Sequence, residues 1–211
     1  MTGCLALPRE GRYTSRMKII VIGATGTVGA AVVRALRPRH DVVEASRSGA
    51  HKVDIKDARS VATLLDQERP DAVISCAGGA AWKPIAELTD ADFESSLHDK
   101  LMGQVNVIRA ALTRIRDNGV VVVTSGVLAQ RPMPSSGALS LVNAGLEGFV
   151  RAAALEAPRG IRVNVVSPPW VSETLKKLGM DPGHGLPADT VAKSYVTAVE
   201  GAMKGETLKP G

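Results

Sequence analysis

The stretch MKIIVIGATGTVGAAVV, residues 17–33, decides the fold. Residues 17–23 form an apolar run ending in glycine, as expected of a strand covered on both faces. Helical spacing of apolar residues then continues to Leu36, and Pro38 stops it. Gly23, Gly26 and Gly29 sit where strand turns into helix. A tight turn there needs a residue without a side chain, a phosphate needs close backbone approach, and helix packing needs a small contact. The helix N-terminus adds free N–H groups and the positive end of a dipole. Gly23, Thr25, Gly26, Thr27, Val28 and Gly29 are therefore candidate ligands for a dinucleotide pyrophosphate. Glycine also marks any tight strand-to-helix turn, but the position of these three, directly after a fully apolar first strand, favours the binding loop. A Walker-type loop is excluded, because no Gly-Lys-Ser/Thr follows.

Outward from this unit, strand-like runs recur at 42–45, 52–55, 71–79, 120–125 and 161–168, and helical spacing covers 57–68, 92–115, 137–155 and 187–203. In the long helix Leu97, Leu101, Val105, Ile108, Leu112 and Ile115 share a face, and in the last helix Val191, Tyr195 and Val199 point inward. Alternating strands and helices predict an α/β fold, a Rossmann-type doubly wound parallel sheet in a single domain, residues 17–211. Residues 1–16 read as a flexible N-terminal extension without the apolar core of a secretion signal.

The chain has 211 residues, 45% hydrophobic and 22% charged, enough for one sizeable core. Its net charge is +5, of which Arg9, Arg12 and Arg16 against Glu10 supply +2, leaving +3 for the domain. No basic run with interleaved aromatics suggests nucleic acid, and the apolar runs are too short to suggest a membrane span. Cys4 and Cys76 have no paired or metal-like spacing, and four scattered histidines form no ligand cluster, so the expectation is a reduced, cytoplasmic protein without a metal.

The end of the second strand bears on the choice of nucleotide. An acidic residue there binds a ribose 2′-OH, whereas a basic one accommodates a 2′-phosphate. Here EASRSG offers Ser46, Arg47 and Ser48, about twenty residues beyond the glycines. Arg47 can fork onto a phosphate with the serines as further donors, which favours NADP(H). The alternative makes Arg47 a solvated loop residue and Glu44 the ribose ligand.

The chain resembles the short-chain dehydrogenase/reductase family over residues 17–208. The resemblance is carried by GATGTVG, by VDI at Val53, Asp54 and Ile55, by CAGG from Cys76, and by RVNVVSPPWV from Arg162. It implies that Asp54 and Ile55 lie near the adenine, that Cys76, Ala77 and Gly78 pass beside the ribose, and that Thr124, Pro168, Trp170 and Val171 belong to the cofactor site. The family carries a Tyr and a Lys four residues apart at the start of a helix, as proton donor and as ribose ligand. In this chain those positions fall on Leu139 and Asn143, so the resemblance implies an atypical member lacking the pair. The family's serine falls on Ser125 or Gly126, with simple alignment favouring Gly126, and its asparagine in the long helix falls on Lys100.

Leu139 has no proton to give. Asn143 can bond a ribose hydroxyl, or else serve as a helix residue bonded to nearby backbone. Lys100 can supply a proton if partly desolvated, or stand solvated on the helix. Ser125 can polarise a carbonyl or cap a strand end, so Ser125, Lys100 and Asn143 are the catalytic candidates. Ser140 and His184, the latter in MDPGHGLP, are weaker candidates, each with a local or solvated alternative. Trp82, Met133 and Trp170 follow strands and suggest an apolar small-molecule substrate, or else anchor loops. Two functions fit: an NADP(H)-dependent oxidoreductase with a non-standard proton source acting on a carbonyl or quinone-like compound, or an inactive NADP(H) sensor. The resemblance also implies a homodimer or homotetramer, paired through the helices starting near Asp92 and Gly137.

Overall fold

The computed structural model describes residues 16–211, and the expectation of a flexible extension at 1–16 falls almost wholly outside them. Seven strands, β1 Lys18–Ile22, β2 Asp41–Ser46, β3 His51–Lys52, β4 Ala72–Ser75, β5 Val120–Thr124, β6 Arg162–Val166 and β7 Thr207–Leu208, form one parallel sheet in the order β3-β2-β1-β4-β5-β6-β7. The sense in which strands are added reverses between the parallel neighbours β1 and β4, in register from Ile19↔Ala72 to Ile22↔Ser75, which opens a crevice at the strands' C-terminal ends.

Alternation within each strand divides the core. Ile20, Ile22, Val121, Val123, Val163 and Val165 face one side, with Leu65 of α2 (Ala58–Glu68), Ile108 of α4 (Gly103–Arg114) and Leu146 and Val150 of α5 (Gly137–Glu156). Ile19, Val21, Ile74, Val122 and Val166 face the other, with Val32 and Leu36 of α1 (Thr27–Leu36) and Tyr195 and Val199 of α7 (Ala188–Glu200). The predicted doubly wound single domain is what forms. Among the described residues, α5 alone has the length and apolarity of a membrane span, with mean hydropathy 1.2. Its Ala138, Val142, Leu146 and Val150 are instead buried within the fold.

Three local expectations are corrected. The strand expected at 52–55 ends at Lys52, because Asp54 starts a turn: its carboxylate accepts from Lys56 N at 3.0 Å and its carbonyl from Asp57 N at 3.1 Å. The helix expected over 92–115 begins at Asp90 behind a Thr89/Asp92 capping box and is interrupted. Between α3 (Asp90–Ser96) and α4, residues Leu97–Met102 form a π-turn. The strand expected over 71–79 is only four residues long. The short α6 (Ser172–Lys177) and β7 carry too little periodicity to be anticipated.

Candidate active site

The glycine loop is set by close packing. A Cβ on Gly29 would lie 2.1 Å from the Gly23 carbonyl oxygen, so only glycine lets α1 sit down on the end of β1. The loop borders a cavity of about 430 Å³ at the ends of β1, β2 and β4. Gly23, Thr25, Gly26, Ser46, Arg47, Ser48, Asp54, Ile55, Cys76, Ala77 and Gly78 all line it. Eight predicted cofactor residues do not line it: Asn143, Pro168, Trp170 and Val171 line a second cavity, and the other four line neither. Thr27 and Gly29 belong to the helix start, with the Thr27 hydroxyl accepting from Lys177 Nζ at 2.8 Å. Val28 packs against the core. Thr124 turns inward: its hydroxyl donates to the Ser75 carbonyl at 2.6 Å and lies 2.7 Å from the Tyr195 hydroxyl.

Two observations show what this cavity suits. Ser46 Oγ is buried without a hydrogen-bond partner, and buried hydroxyls ordinarily have one. Arg47 is exposed on the rim with no ion pair to any described carboxylate, whereas Glu44 is paired with Arg37. The free cation, the unpaired hydroxyl and the open N-terminus of α1 suit a phosphate-bearing nucleotide.

A second cavity, about 170 Å³, lies beyond the ends of β5 and β6 and brings together Lys100, Ser125, Asn143, Pro168, Trp170 and Val171 with Leu139, Gly126 and Thr174. The π-turn delivers Lys100 to it; such turns recur at functional sites. Lys100 Nζ donates to the Ser125 carbonyl at 3.3 Å, and burial of the ammonium lowers its pKa to about 8. Ser125 is held by its surroundings. Its hydroxyl donates to Glu147 Oε1 at 2.7 Å, and Gln130 Nε2 donates to the other carboxylate oxygen. One residue earlier, Gln104 bonds both backbone groups of Thr124, at 2.6 and 2.8 Å, fixing the strand end that leads into the site. Asn143 is 2% exposed and its Oδ1 has no partner; a Cβ on Gly126 would lie 3.0 Å from its Nδ2.

Trp82 and Trp170 meet edge to face with ring centroids 5.5 Å apart. Met133 is exposed, Ser140 Oγ lies 3.1 Å from Ser136 Oγ, and His184 projects beside Asp181 outside both cavities. Sequence reading missed Glu147. It stands four residues after Asn143 and eight after Leu139 on one helix face, and a carboxylate on so apolar a stripe was the available signal.

A doubly wound sheet with a glycine-loop crevice and a lysine-bearing cavity at its strand ends defines a Rossmann-type nucleotide-binding protein. A sequence profile of the family described as enoyl-(acyl carrier protein) reductase matches residues 24–196. The structure is similar to that of the protein lin1944 from Listeria innocua, at 34% identity and TM-score 0.87 over 92% of this chain and 98% of that one. It is also similar to a small-chain dehydrogenase in complex with NADPH, at 21% identity and TM-score 0.81 over 92% and 96% of the two chains, a likeness of fold. In sequence it is 31% identical over 180 residues to (5R,7aS)-5-hydroxy-7a-methyl-1-oxo-2,3,5,6,7,7a-hexahydro-1H-indene-carboxyl-CoA reductase of Mycobacterium tuberculosis, covering 71% of this chain and 69% of that one. It spans 54% of the length of the hydroxynaphthalene reductase-like protein Arp2 of Metarhizium brunneum. The chain belongs to the short-chain dehydrogenase/reductase family.

Proposed function

We propose that the protein is an NADP(H)-dependent oxidoreductase acting on a small, apolar carbonyl or quinone-like compound, with Lys100 as proton source. Support for NADP(H) is the set Ser46, Arg47 and Ser48 on the first cavity, with Glu44 engaged by Arg37, and the NADPH-bound structure of the same fold. Gly23, Thr25 and Gly26 would hold the pyrophosphate, Asp54 and Ile55 the adenine side, and Asn143 Oδ1, an unpaired buried acceptor, a ribose hydroxyl. When bound, NADPH supplies a hydride equivalent.

The observation that carries the reading is Lys100. We read Leu139 and Asn143 as occupying the positions of the family's Tyr and Lys, so neither supplies a phenolic proton or a charge beside it. The Lys100 ammonium, with its pKa lowered to about 8 by burial, borders an otherwise largely apolar cavity. It is suited to give a proton to a substrate oxygen, become a neutral amine and regain the proton from solvent. Ser125 has its hydroxyl hydrogen committed to Glu147, so we assign it to holding the cavity wall and accepting from Lys100 through its carbonyl. Trp170, Pro168, Val171 and Leu139 give the apolar lining that suits a ring or short-chain ketone or quinone.

Single-turnover oxidation of stoichiometric NADPH against carbonyls, quinones and flavins tests this, with nucleotide binding measured in the same samples. Oxidation in the wild type that is lost in Lys100→Met supports the reading. Binding without oxidation of any acceptor favours the second reading, an inactive NADP(H) sensor, for which the Leu139/Asn143 pair is the specific support. Pairing of copies through the helical run from Asp90 and through α5, as homodimer or homotetramer, is part of the same proposal.

A further inference from the structure

Both tryptophans of the chain meet at the second cavity. Trp170, between β6 and α6, lines it. Trp82, on the loop after β4, reaches it through Trp170, with the two ring planes at 74°. Neither ring takes part in the packing on either face of the sheet, and Trp82 is 42% exposed. The ring contact is not what holds the two loops. On the Trp82 side, Ala81 N donates to Ser96 Oγ at 2.9 Å, Lys83 N to the Ser135 carbonyl at 3.1 Å and Lys83 Nζ to Asp92 Oδ1 at 2.9 Å. On the Trp170 side, Val127 N donates to the Pro168 carbonyl at 2.9 Å and Leu186 N to the Trp170 carbonyl at 2.8 Å. Pro168 and Pro169 also fix φ in the backbone leading to the ring.

Two independently anchored loops therefore press one indole against the other beside the cavity. The edge-to-face contact sets the tilt of Trp170, so the cavity has an aromatic wall of fixed orientation before any ligand arrives. The same cavity holds Lys100, the group toward which a substrate oxygen is directed. Its volume of about 170 Å³ lies below the roughly 300–1,000 Å³ of sites for drug-sized ligands, which suits one compact ring. Against such a wall a flat conjugated ring makes an offset or edge contact that a puckered saturated ring of the same size does not. The extra interaction corresponds to a preference of about threefold to tenfold.

We propose that Trp170 selects a planar, conjugated single-ring carbonyl compound, an aryl ketone or a quinone, over a saturated ketone of the same size, and that Trp82 is the positioning residue that holds Trp170 for this. The proposal rests on the reading of the second cavity as the substrate site. It makes specificity depend on a side chain that does not line the cavity and sits on a different loop. Removing the Trp82 ring frees the tilt of Trp170 without changing the lining of the cavity.

The test compares two ketones with the same carbon skeleton, acetophenone, whose ring is flat, and cyclohexyl methyl ketone, whose ring is puckered. Each is titrated by calorimetry into protein saturated with NADP⁺, so that nothing is reduced. Wild type, Trp170→Leu, Trp82→Leu and Trp82→Phe are compared, each checked for an unchanged thermal midpoint. Wild type should bind acetophenone about threefold to tenfold more tightly than the saturated ketone. Both leucine variants should lose that preference through weaker binding of acetophenone alone, and Trp82→Phe should keep it. NADP⁺ affinity should be unchanged in the Trp82 variants. In turnover with NADPH, Trp82→Leu should raise KM for acetophenone and leave kcat within about twofold, whereas a loop that had merely come loose would weaken both ketones alike. Equal affinity for the two ketones in wild type, or the wild-type preference retained in Trp82→Leu, overturns the proposal. So does a parallel loss of NADP⁺ affinity in Trp82→Leu, which would make Trp170 a cofactor contact. Wild type that binds NADP⁺ but neither ketone overturns the reading of the second cavity itself, a distinct result.

Discussion

Gly78 and Lys100 meet backbone to backbone: a Cβ on Gly78 would lie 2.9 Å from the Lys100 Cα. Gly78 also has φ +109°, a conformation that L side chains rarely adopt. The strand end after β4 and the π-turn are therefore fitted to each other through a position that tolerates no side chain, and the fit sets where Lys100 emerges. Gly78→Ala should cost ~2–4 kcal/mol of stability from the combined strain and overlap. Because the π-turn is the element displaced, it should also move the Lys100 pKa. Urea unfolding and a pH titration of the variant check both outcomes.

A proton donor is competent only while it holds its proton. With the Lys100 pKa lowered from 10.5 to about 8 by burial, the ammonium is retained below about pH 8 and lost above it. Reductive turnover should be flat below that value and fall tenfold per pH unit above it. Lys100→Met should remove this limb together with most of the rate. The folding contribution has the opposite sign. Between about pH 8 and 10.5 the unfolded chain binds more protons at this lysine, so stability rises with pH there relative to Lys100→Met. Rate and stability profiles that moved in the same direction would count against the assignment.

How much of this was legible in the sequence varies with the physical source of the signal. The sheet was legible because Ile19, Ile20, Val21 and Ile22, like Val120, Val121, Val122 and Val123, are buried on both faces, and a double-sided strand reads as a plain apolar run. The helices on either side were legible through 3.6-residue spacing, which runs unbroken through the π-turn; that turn depends on Gly78, about twenty residues upstream, and has no local signature. The first cavity could be read because its ligating groups are backbone and short side chains at one strand-to-helix junction. Thr124 could not be placed from sequence, since its inward orientation follows from Ser75 and Tyr195 on separate elements. Glu147 was missed for the same reason: it is defined by a partner, Ser125, that only the fold brings close.

Cys76 lines the first cavity and yet should be chemically quiet. Burial pushes its thiol up from 9.0 to about 12, although Thr124 and Tyr195 hydrogen bonds pull the other way. The thiolate is the reactive form, so at pH 8 its population is lower by a factor of ~10³ than for an ordinary thiol. In a Cys4→Ser variant, in which Cys76 is the remaining thiol, a disulfide reagent should react at least ~100-fold more slowly with the native than with the urea-unfolded protein. The native rate should climb about tenfold per pH unit from 9 toward 12. Rapid native labelling at pH 8 would show the thiol to be accessible and unperturbed.

Glu147 offers a separation of packing from polarity. Its side chain is 6% exposed and accepts from two neutral donors, Ser125 Oγ and Gln130 Nε2. Glu147→Ala removes the acceptor and the volume together, leaving a hydroxyl and an amide unpaired beside a cavity. The expected cost is ~3–5 kcal/mol, read as a lower urea midpoint at unchanged slope. Glu147→Gln keeps the volume and one acceptor oxygen. The Ser125 hydroxyl can rotate to accept from the new amide nitrogen while the amide oxygen keeps accepting from Gln130 Nε2, so the cost should stay near ~1 kcal/mol. The rotation carries a consequence at the site. A Ser125 hydroxyl that accepts from the introduced amide releases its own hydrogen toward the second cavity, where it competes with Lys100 for a substrate oxygen. The Glu147→Gln variant should therefore keep turnover above pH 8 to a greater degree than wild type, whereas a purely structural Glu147 would leave the pH profile unchanged.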